Sequence, residues 1–334
     1  MTPLPEISVV LPFFNAESTL SEAVRSILAQ TFQDWELVLF DDGSTDDSAR
    51  MAESFAARDA RIRMIRSSHV GMVAALRRAC RDARGTYLAR MDADDWSDPR
   101  RLAMQAELLK GDPAVGLCGT QVRMFGESIG SGIRRYEEWI NGLVTHEDMQ
   151  RELFVECPIP HPSFMMPRSI FEQISGYEDH GWAEDYDLCM RVVLSGKRLG
   201  KVAEPLLDWR ESAGRLSRTS ERYSVARFRA LKRHYLARMG LWDGKELYQW
   251  GAGEVGKPWL REWTWPKPAA VVDIHPRKVG RRIHGVPVIS PEDLPPPGTG
   301  FCVVAVGAPG ARADIRQWLL PRGYEEGVDF VFVA

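Results

Sequence analysis

Apolar side chains in the first hundred residues repeat with two different periods. Short β-branched and apolar runs predict four strands, at residues 7–11, 36–40, 62–65 and 86–89. The stretches between them carry apolar side chains at helical spacing and predict three helices, at residues 20–28, 47–58 and 73–83. This alternation predicts an α/β fold with a mostly parallel sheet and helices on both faces. Ligands of such sheets bind beyond the carboxyl ends of the strands.

Polar groups follow three of these strands where each strand ends: Pro12 to Asn15, Asp41 to Asp46 and Asp92 to Asp95. In the last group, Asp92 and Asp94 are two residues apart, so an extended chain turns both carboxylates to the same side. Two carboxylates at one place suit Mg²⁺ or Mn²⁺, because proteins hold these ions with oxygen ligands and substrate phosphates. For this pair taken alone, a solvated acidic loop is the alternative.

The middle of the chain has a less regular pattern. Three prolines between residues 158 and 162 exclude a central strand or a helix interior and predict a shaped loop around His161. Helices are predicted at 188–194 and 221–239. The second helix would present one apolar face, formed by Val225, Phe228, Leu231, Tyr235 and Met239.

Residues 191–240 are strongly basic, with thirteen Lys and Arg against four Asp and Glu. One interpretation is a helix packed on the domain with a solvated basic face. The other is a surface for a phosphorylated acceptor, or a peripheral contact with an anionic membrane.

A second α/β pattern begins after residues 242–244. The glycines of Gly251-x-Gly253-x-x-Gly256 follow a predicted strand at 246–250 and open a helix, and Asp273 comes about twenty residues later. This context is typical of a dinucleotide-binding fingerprint, in which the glycines admit the pyrophosphate and the acid binds ribose. NAD(P), a sugar nucleotide, another nucleotide or a docking role all remain open. The segment has no evident hydride-transfer residue and is too short for a complete dehydrogenase.

Bulk composition narrows the range of functions. The 334 residues carry a net charge of -3, which gives no case for a nucleic-acid partner. No apolar run approaches the ~18 residues that span a bilayer, and the N-terminus lacks the parts of a signal peptide. The five cysteines are scattered, which favours buried reduced thiols. We therefore expect a cytoplasmic protein, with peripheral contact at the inner face of the membrane as an option.

Several motifs occur in order along the first two-thirds of the chain: Pro12–Asn15, Gln30–Phe32, Asp41–Asp46, Gly85, Asp92–Asp95, Arg100–Gln105, His161–Ser163 and Glu184–Leu188. With these motifs, the chain resembles the family 2 glycosyltransferases, which have the GT-A fold. The resemblance implies metal-dependent, inverting transfer of a sugar, hexosyltransferase-like, from a nucleoside-diphosphate sugar to a hydroxyl acceptor. It covers a transferase domain at 1–214. A basic helix or linker at 215–243 follows, and the second α/β pattern separately predicts a Rossmann-like module at 244–334.

The resemblance also implies roles for donor-binding residues. Asp42 would contact the nucleotide base, which weakly favours uridine, and Pro12 and Asn15 belong to a further substrate-binding motif. Asp92 and Asp94 would hold ribose and the metal–diphosphate group, with Asp94 as the direct metal ligand.

Three further residues have more than one interpretation. Asp185 matches the base that takes the proton from the acceptor hydroxyl, with Glu184 as the alternative. His161 would complete the metal shell or serve only the structure. Arg210 would close over the diphosphate or be a surface charge.

The chain departs from some members of the family. It lacks the Gln-x-x-Arg-Trp sequence of processive synthases, which favours addition of a single sugar to a glycan or lipid-linked acceptor in cell-envelope glycan synthesis. Two other classes stay open. The first is an NAD(P) or sugar-nucleotide oxidoreductase or sensor that acts through Gly251, Gly253, Gly256 and Asp273. The second is a binding protein that retains the fold without catalysis.

Overall fold

The computed structural model describes residues 4–127, 129–212, 214–264 and 266–334. Residues 1–3, part of the N-terminal segment considered above, lie outside the described residues. The chain forms two compact units. The first contains the residues up to Met149 together with Cys157–Ser224, and the second contains Gln150–Glu156 together with Val225–Ala334. The domain boundaries drawn from the sequence at 214 and 243 stay predictions.

An eight-stranded sheet forms the centre of the first unit, in the order β3-β2-β1-β4-β7-β6-β8-β5. Its strands are β1 (Ile7–Phe13), β2 (Trp35–Asp41), β3 (Ile62–Arg66), β4 (Tyr87–Arg90), β5 (Trp96–Ser97), β6 (Val115–Phe125), β7 (Met165–Pro167) and β8 (Arg198–Arg210). The helices before residue 225 are α1 (Leu20–Leu28), α2 (Ser48–Ala56), α3 (Met72–Asp82), α4 (Arg101–Gly111), α5 (Ser131–Gly142), α6 (His146–Glu152), α7 (Arg168–Gln173), α8 (Glu184–Leu194) and α9 (Leu216–Thr219).

The first four strands and three helices confirm the predicted elements, with ends within two residues of those expected. β1 pairs in parallel with β2 and β4, and all seven of its residues are buried. A central strand covered on both faces needs a continuous apolar run, and Ile7–Phe13 supplies one. The register places Phe13 opposite Asp41, and Val10 opposite Arg90. The polar groups that follow these strands therefore share one edge of the sheet.

Two of the helix predictions need correction. α8 begins at Glu184, four residues before the predicted start, so Glu184 and Asp185 lie in its first turn. The helix predicted at 221–239 is a 3₁₀ turn at Glu221–Tyr223 followed by α10 (Val225–Arg238). Its predicted apolar face is only partly right, because Leu231 and Tyr235 are buried whereas Val225 is 72% exposed. The first position of a helix has few neighbours to cover it.

The second unit has a six-stranded sheet in the order β11-β12-β10-β9-β13-β14. Its strands are β9 (Glu246–Trp250), β10 (Ala270–Val272), β11 (Arg282–Ile283), β12 (Val286–Ile289), β13 (Gly300–Val304) and β14 (Phe330–Phe332), and α11 (Gly256–Glu262) and α12 (Ala311–Leu319) follow β9 and β13. All neighbours pair in parallel except the β11–β12 hairpin. The chain winds outward from β9 in both directions, so this sheet is doubly wound.

Helices long and apolar enough to cross a bilayer do not occur among the described residues.

Gln30 joins three elements of the first unit. Its side-chain nitrogen donates to Asp98 O at 2.7 Å and to Ser97 Oγ at 3.0 Å, and its side-chain oxygen accepts from Leu102 N at 3.0 Å. The residue is 1% exposed. One buried amide thus fixes the end of α1 against β5 and the start of α4, and so positions the chain just after the acidic run.

Replacing Gln30 with Met should lower the free energy of unfolding by about 1–3 kcal/mol, because the buried Leu102 N loses its acceptor, whereas Asp98 O still accepts from Arg101 N. Denaturant unfolding of the whole chain measures the change. Gln173→Met, at an exposed site on α7, is the matched control and should change stability little. Equal stabilities of the two variants would contradict the assigned role of Gln30.

Candidate functional site

Three carboxylates converge just beyond the end of β4. Asp92, Asp94 and Asp95 each present one oxygen, and these oxygens lie within 4.8 Å of one another. Asp92 and Asp94 are half-buried, and Asp95 is 2% exposed. The structure therefore brings the two predicted ligands together and adds Asp95. Sequence reasoning missed Asp95 because strict strand alternation would turn it away, and the chain stops being extended here.

A buried cation lies beneath this cluster. The Arg90 side chain is 5% exposed, and its Nη1 forms an ion pair with Asp92. Burial opposes the charge of Arg90, but the neighbouring Asp92 carboxylate outweighs it, so the pKa of Arg90 is raised. A second buried guanidinium, that of Arg101, donates to Arg90 O at 3.2 Å and to Pro162 O at 2.7 Å. These contacts fix the end of β4 against the proline-rich loop.

Burial, and after it repulsion between the carboxylates, disfavours the charged forms of Asp94 and Asp95. Burial and the Asp92 charge raise the pKa of Asp94 to about 6. The same two causes, in the same order, raise the pKa of Asp95 well above its usual value. Asp95 Oδ2 is also buried and has no hydrogen-bond partner among the described residues. An all-oxygen donor set under this repulsion fits a hard divalent cation such as Mg²⁺ or Mn²⁺.

Arg210 lies at the end of β8 and holds the acidic loop in place. Its backbone N donates to Asp95 Oδ1 at 2.8 Å, and its Nε donates to Asp94 O at 2.7 Å. Its Nη2 pairs with Glu22 at 2.8 Å. In this structure the guanidinium positions the acidic loop. The contact of Arg210 with a diphosphate stays a prediction.

Asp42 lies at the second polar strand end and is 4% exposed. Its two carboxylate oxygens accept from Val70 N at 2.7 Å and from Gly71 N at 2.9 Å, and His69 Nδ1 lies 3.0 Å from Oδ2. The His69 ring lies 4.3 Å from the half-exposed ring of Phe14. Asp42 therefore anchors the turn that carries His69. The residues it contacts, such as Val70, are 28 positions away in sequence, so no local pattern indicates the contact.

Asn15 links the first polar strand end to the second. Its backbone φ is +50°, and its side-chain oxygen accepts from Thr45 N at 2.8 Å. In return, Asn15 N donates to Ser44 Oγ at 3.0 Å. Pro12 is buried within β1, three residues before Asn15. Two loops that were predicted to bind one substrate are thus joined by reciprocal hydrogen bonds.

The first turn of α8 presents two acids in different environments. Glu184 is 1% exposed, and its two oxygens lie 2.8 and 3.0 Å from the hydroxyl of Tyr223. Burial, and then the neighbouring Asp185, raise the pKa of Glu184 to about 7. Asp185 is half-buried, and its Oδ1 accepts from Tyr186 N at 2.8 Å. Neighbouring carboxyl groups whose environments separate their pKa values are typical of acid–base sites.

His161 lies in a 3₁₀ turn at His161–Ser163. Its Nε2 is 2.7 Å from the Tyr177 hydroxyl, and its Nδ1 is 3.9 Å from Glu184. Burial, and then Arg90, lower its pKa well below the usual value. Among the described residues, the group of converging ligand atoms consists of the three aspartates and does not include His161. Its assignment to the metal shell stays a prediction.

The residues predicted to bind a cofactor in the second unit are also brought together. Gly251 and Gly253 line a cavity with Asp273, and Gly256 opens α11. Asp273 Oδ2 accepts from Ala252 N at 3.1 Å and pairs with Lys278 Nζ at 2.8 Å, while Oδ1 accepts from His275 N at 2.9 Å.

Comparison with known proteins shows what the chain resembles. Residues 8–175 match the family described as glycosyl transferase family 2. EpsE of Bacillus subtilis (strain 168), whose name assigns it provisionally to the glycosyltransferases, is 33% identical over 226 residues, covering 66% of this chain and 78% of EpsE. EpsJ of the same organism, an uncharacterised glycosyltransferase, is 29% identical over 256 residues, covering 72% of this chain and 70% of EpsJ.

Two solved structures share the fold. S. aureus TarS 1–349, in complex with UDP-GlcNAc, has a TM-score of 0.57 at 17% identity, covering 70% of this chain and 66% of TarS. The mannosyltransferase PcManGT from Pyrobaculum calidifontis, in complex with GDP-Man and Mn²⁺, has a TM-score of 0.51 at 19% identity, covering 71% of this chain and 63% of PcManGT. With the family match, these similarities confirm the predicted GT-A fold of the first unit.

Replacing Glu184 with Gln should change how stability depends on pH. Because its pKa rises from 4.5 to about 7 on folding, the folded state holds a proton that the unfolded state releases. The wild-type free energy of unfolding therefore falls, relative to that of the variant, as pH rises through this window, by about 3 kcal/mol at most. Urea unfolding of both proteins at pH 4.5 to 7.5 measures the difference.

The control for this series is Glu172→Gln, because the Glu172 side chain is 65% exposed. Its stability should stay parallel to that of the wild type at every pH. A constant difference between the wild type and Glu184→Gln across the range would show that Glu184 is ionised normally.

Proposed function

The chain belongs to glycosyl transferase family 2, and we propose that it catalyses metal-dependent, inverting transfer of a sugar from a nucleoside-diphosphate sugar to a hydroxyl acceptor. The convergence of Asp92, Asp94 and Asp95 beyond the end of β4 carries this proposal. It is an all-oxygen site under electrostatic repulsion, at the edge of the sheet where ligands of parallel sheets bind. The transferase assignment itself rests on the family match and on the named glycosyltransferase relatives.

Asp94 and Asp92 would hold the cation, and Asp95 would complete the charge of the site. When bound, a divalent cation neutralises the charge that builds on the leaving diphosphate. Arg90 orients Asp92 through their ion pair. The Mn²⁺ in PcManGT supports the same class of ion here, although that similarity extends only to the fold.

The joined loops around Asn15 and Asp42 would receive the nucleoside. Phe14 and His69 offer exposed ring surface for a base, beside the carboxylate of Asp42. A carboxylate oxygen that already accepts one hydrogen bond can accept another, so Asp42 can still accept a hydrogen bond from the N–H of a uracil ring. The solved relatives contain UDP-GlcNAc and GDP-Man, which support a sugar nucleotide as the donor class and leave the base undecided.

Asp185 would act as the base. In an inverting transfer, the acceptor oxygen attacks the anomeric carbon while the bond to the diphosphate breaks, and the acceptor proton passes to the carboxylate. Asp185 is partly accessible, whereas Glu184 is enclosed and lies against Tyr223. With its pKa near 7, Glu184 is protonated below neutral pH and does not oppose the negative charge on Asp185.

The wider setting is part of the proposal. We infer a glycan or lipid-linked acceptor in envelope glycan synthesis, with single addition rather than processive synthesis. The basic segment at 191–240 would contact an anionic acceptor or membrane surface, although Arg229 and Arg233 already pair with Glu262. The alternative of an NAD(P) oxidoreductase is not supported, because the family match and the relatives named above are all glycosyltransferases.

Asp94→Asn should abolish Mn²⁺-dependent donor binding and sugar transfer, because it removes a charge from the proposed metal site while keeping the side-chain shape. Calorimetric titration of UDP-GlcNAc and GDP-Man, each with Mn²⁺ and with chelator, measures the binding. Asp112→Asn is the control, since its side chain is 44% exposed and lies outside the cluster. Unchanged Mn²⁺-dependent binding by Asp94→Asn would overturn the metal assignment.

Asp185→Asn should keep donor binding but lower the rate of transfer by about 10²- to 10⁴-fold, the usual contribution of a general base. Single-turnover transfer and donor titration on the same protein separate the two effects. Glu184→Gln provides the comparison within the acid pair. If Glu184→Gln loses the rate and Asp185→Asn retains it, the base is Glu184.

A further inference from the structure

A cavity of about 620 Å³ opens in the second unit, at the carboxyl ends of β9 and β13. These two strands are neighbours from which the chain winds in opposite directions, the point where doubly wound sheets bind ligands. The volume is within the range of small-molecule sites. The residues that line it belong to this unit alone, and none of them is part of the carboxylate cluster or of the acid pair described above.

The three glycines of the fingerprint differ in whether the fold has room for a Cβ at their position. A Cβ at Gly251 would lie 2.6 Å from Ala305 O, and one at Gly256 would lie 2.0 Å from Gly251 O, so the fold requires both. A Cβ at Gly253 would meet nothing within 4 Å, and its φ is not in the left-handed region. Among the described residues, no contact calls for glycine at 253, and its small size leaves the rim of the cavity open to a ligand.

Backbone donors line this rim. The N–H groups of Gly253, Glu254 and Val255 have no hydrogen-bond acceptor among the described residues. Consecutive amides of a glycine-rich loop form sites for phosphate groups. Lys278 adds a cation at the cavity, and it pairs with Asp273. The acids Glu254 and Asp314 are exposed, so solvent screens their charges.

The remaining walls are mostly apolar. Trp250, Val306, Ile315 and Trp318 line the interior, and the two tryptophan rings lie 5.3 Å apart. Ile274 follows β10, lines the cavity and is 77% exposed, so it adds accessible aliphatic surface there. Apolar and aromatic surface beside phosphate donors suits a nucleoside whose sugar carries phosphates.

Asp273 already has three hydrogen-bond donors within the unit. In dinucleotide sites the corresponding acid binds the ribose 2′-hydroxyl. Here its two oxygens already accept from Ala252 N, His275 N and Lys278 Nζ. The acid of the fingerprint therefore stabilises the loops of the unit. The ribose-binding role assigned to it from the sequence stays a prediction.

We propose that this cavity binds a nucleoside diphosphate group, free or as part of a sugar nucleotide, as a second nucleotide site of the protein. The site is independent of the proposed transferase centre, because it uses none of the residues of that centre. The two sources of the group differ in the sugar that follows the second phosphate.

The test uses the full chain with Asp94→Ala and chelator, which suppresses metal-dependent binding at the carboxylate cluster. UDP, GDP and ADP, the matching nucleosides, UDP-GlcNAc, GDP-Man and NAD are titrated calorimetrically. We expect at least one nucleoside diphosphate to bind with a stoichiometry of one. Gly253→Val and Ile274→Asp, each added to this background, should weaken that binding at least tenfold.

Each cavity variant has a matched control. Gly130→Val adds the same side chain where a Cβ also meets nothing within 4 Å and φ is -84°. Val225→Asp adds the same carboxylate at another exposed apolar position of the second unit. Neither control should change the affinity by as much as twofold.

Three results would overturn the proposal. The first is that no diphosphate binds, and the second is that both cavity variants bind it as tightly as the Asp94→Ala background does. The third is that nucleosides bind as tightly as diphosphates. Binding of NAD alone would also overturn it in favour of a dinucleotide site. Tighter binding of a sugar nucleotide than of the free diphosphate would support the proposal and identify the source. Failure here leaves the Asp94→Asn and Asp185→Asn results unaffected, so the two proposals fail separately.

Discussion

The charge balance between three aspartates and one buried arginine is the constraint on which the rest of the first unit depends. Asp92, Asp94 and Asp95 are held close enough to repel one another, and the buried Arg90 forms an ion pair with Asp92. Uncompensated charges in a protein interior are costly. The surrounding elements therefore supply donors to the backbone of this region, including Arg101 to Arg90 O and Arg210 Nε to Asp94 O.

A similar division of charge separates the two acids at the start of α8. They are adjacent in sequence, yet the helix turns Glu184 inward against Tyr223 and leaves Asp185 partly accessible. Burial, and then the neighbouring Asp185, raise the pKa of Glu184 to about 7 and so favour its neutral form. The local geometry of one helix start is enough to give two identical functional groups different chemistry.

The strands and helices of the first hundred residues could be predicted because each has a local hydrophobic pattern that agrees with its place in the fold. β1 is a continuous apolar run, and α1 has apolar side chains at helical spacing. The meeting of polar groups at one sheet edge also followed, since parallel strands end on the same side.

What the sequence did not predict depends on contacts between distant residues. Tyr223 reaches Glu184 across 39 positions, and Asp42 accepts from amides 28 and 29 residues further along. Lys278, which pairs with Asp273, is only five residues away in sequence, but the pairing depends on the turn between them, which the sequence pattern does not give. No periodicity or motif records such pairs, because they arise from packing of elements that are each locally ordinary.

The reciprocal hydrogen bonds between Asn15 and the Ser44–Thr45 turn have a consequence for binding kinetics and affinity. Two loops that would otherwise fluctuate independently are cross-connected before any ligand arrives. Ordering loops on binding reduces affinity, because the lost conformational freedom opposes association. Here most of that freedom is already lost in the folded protein. A nucleotide would therefore meet a rigid surface, and its association should resemble docking rather than coupled folding.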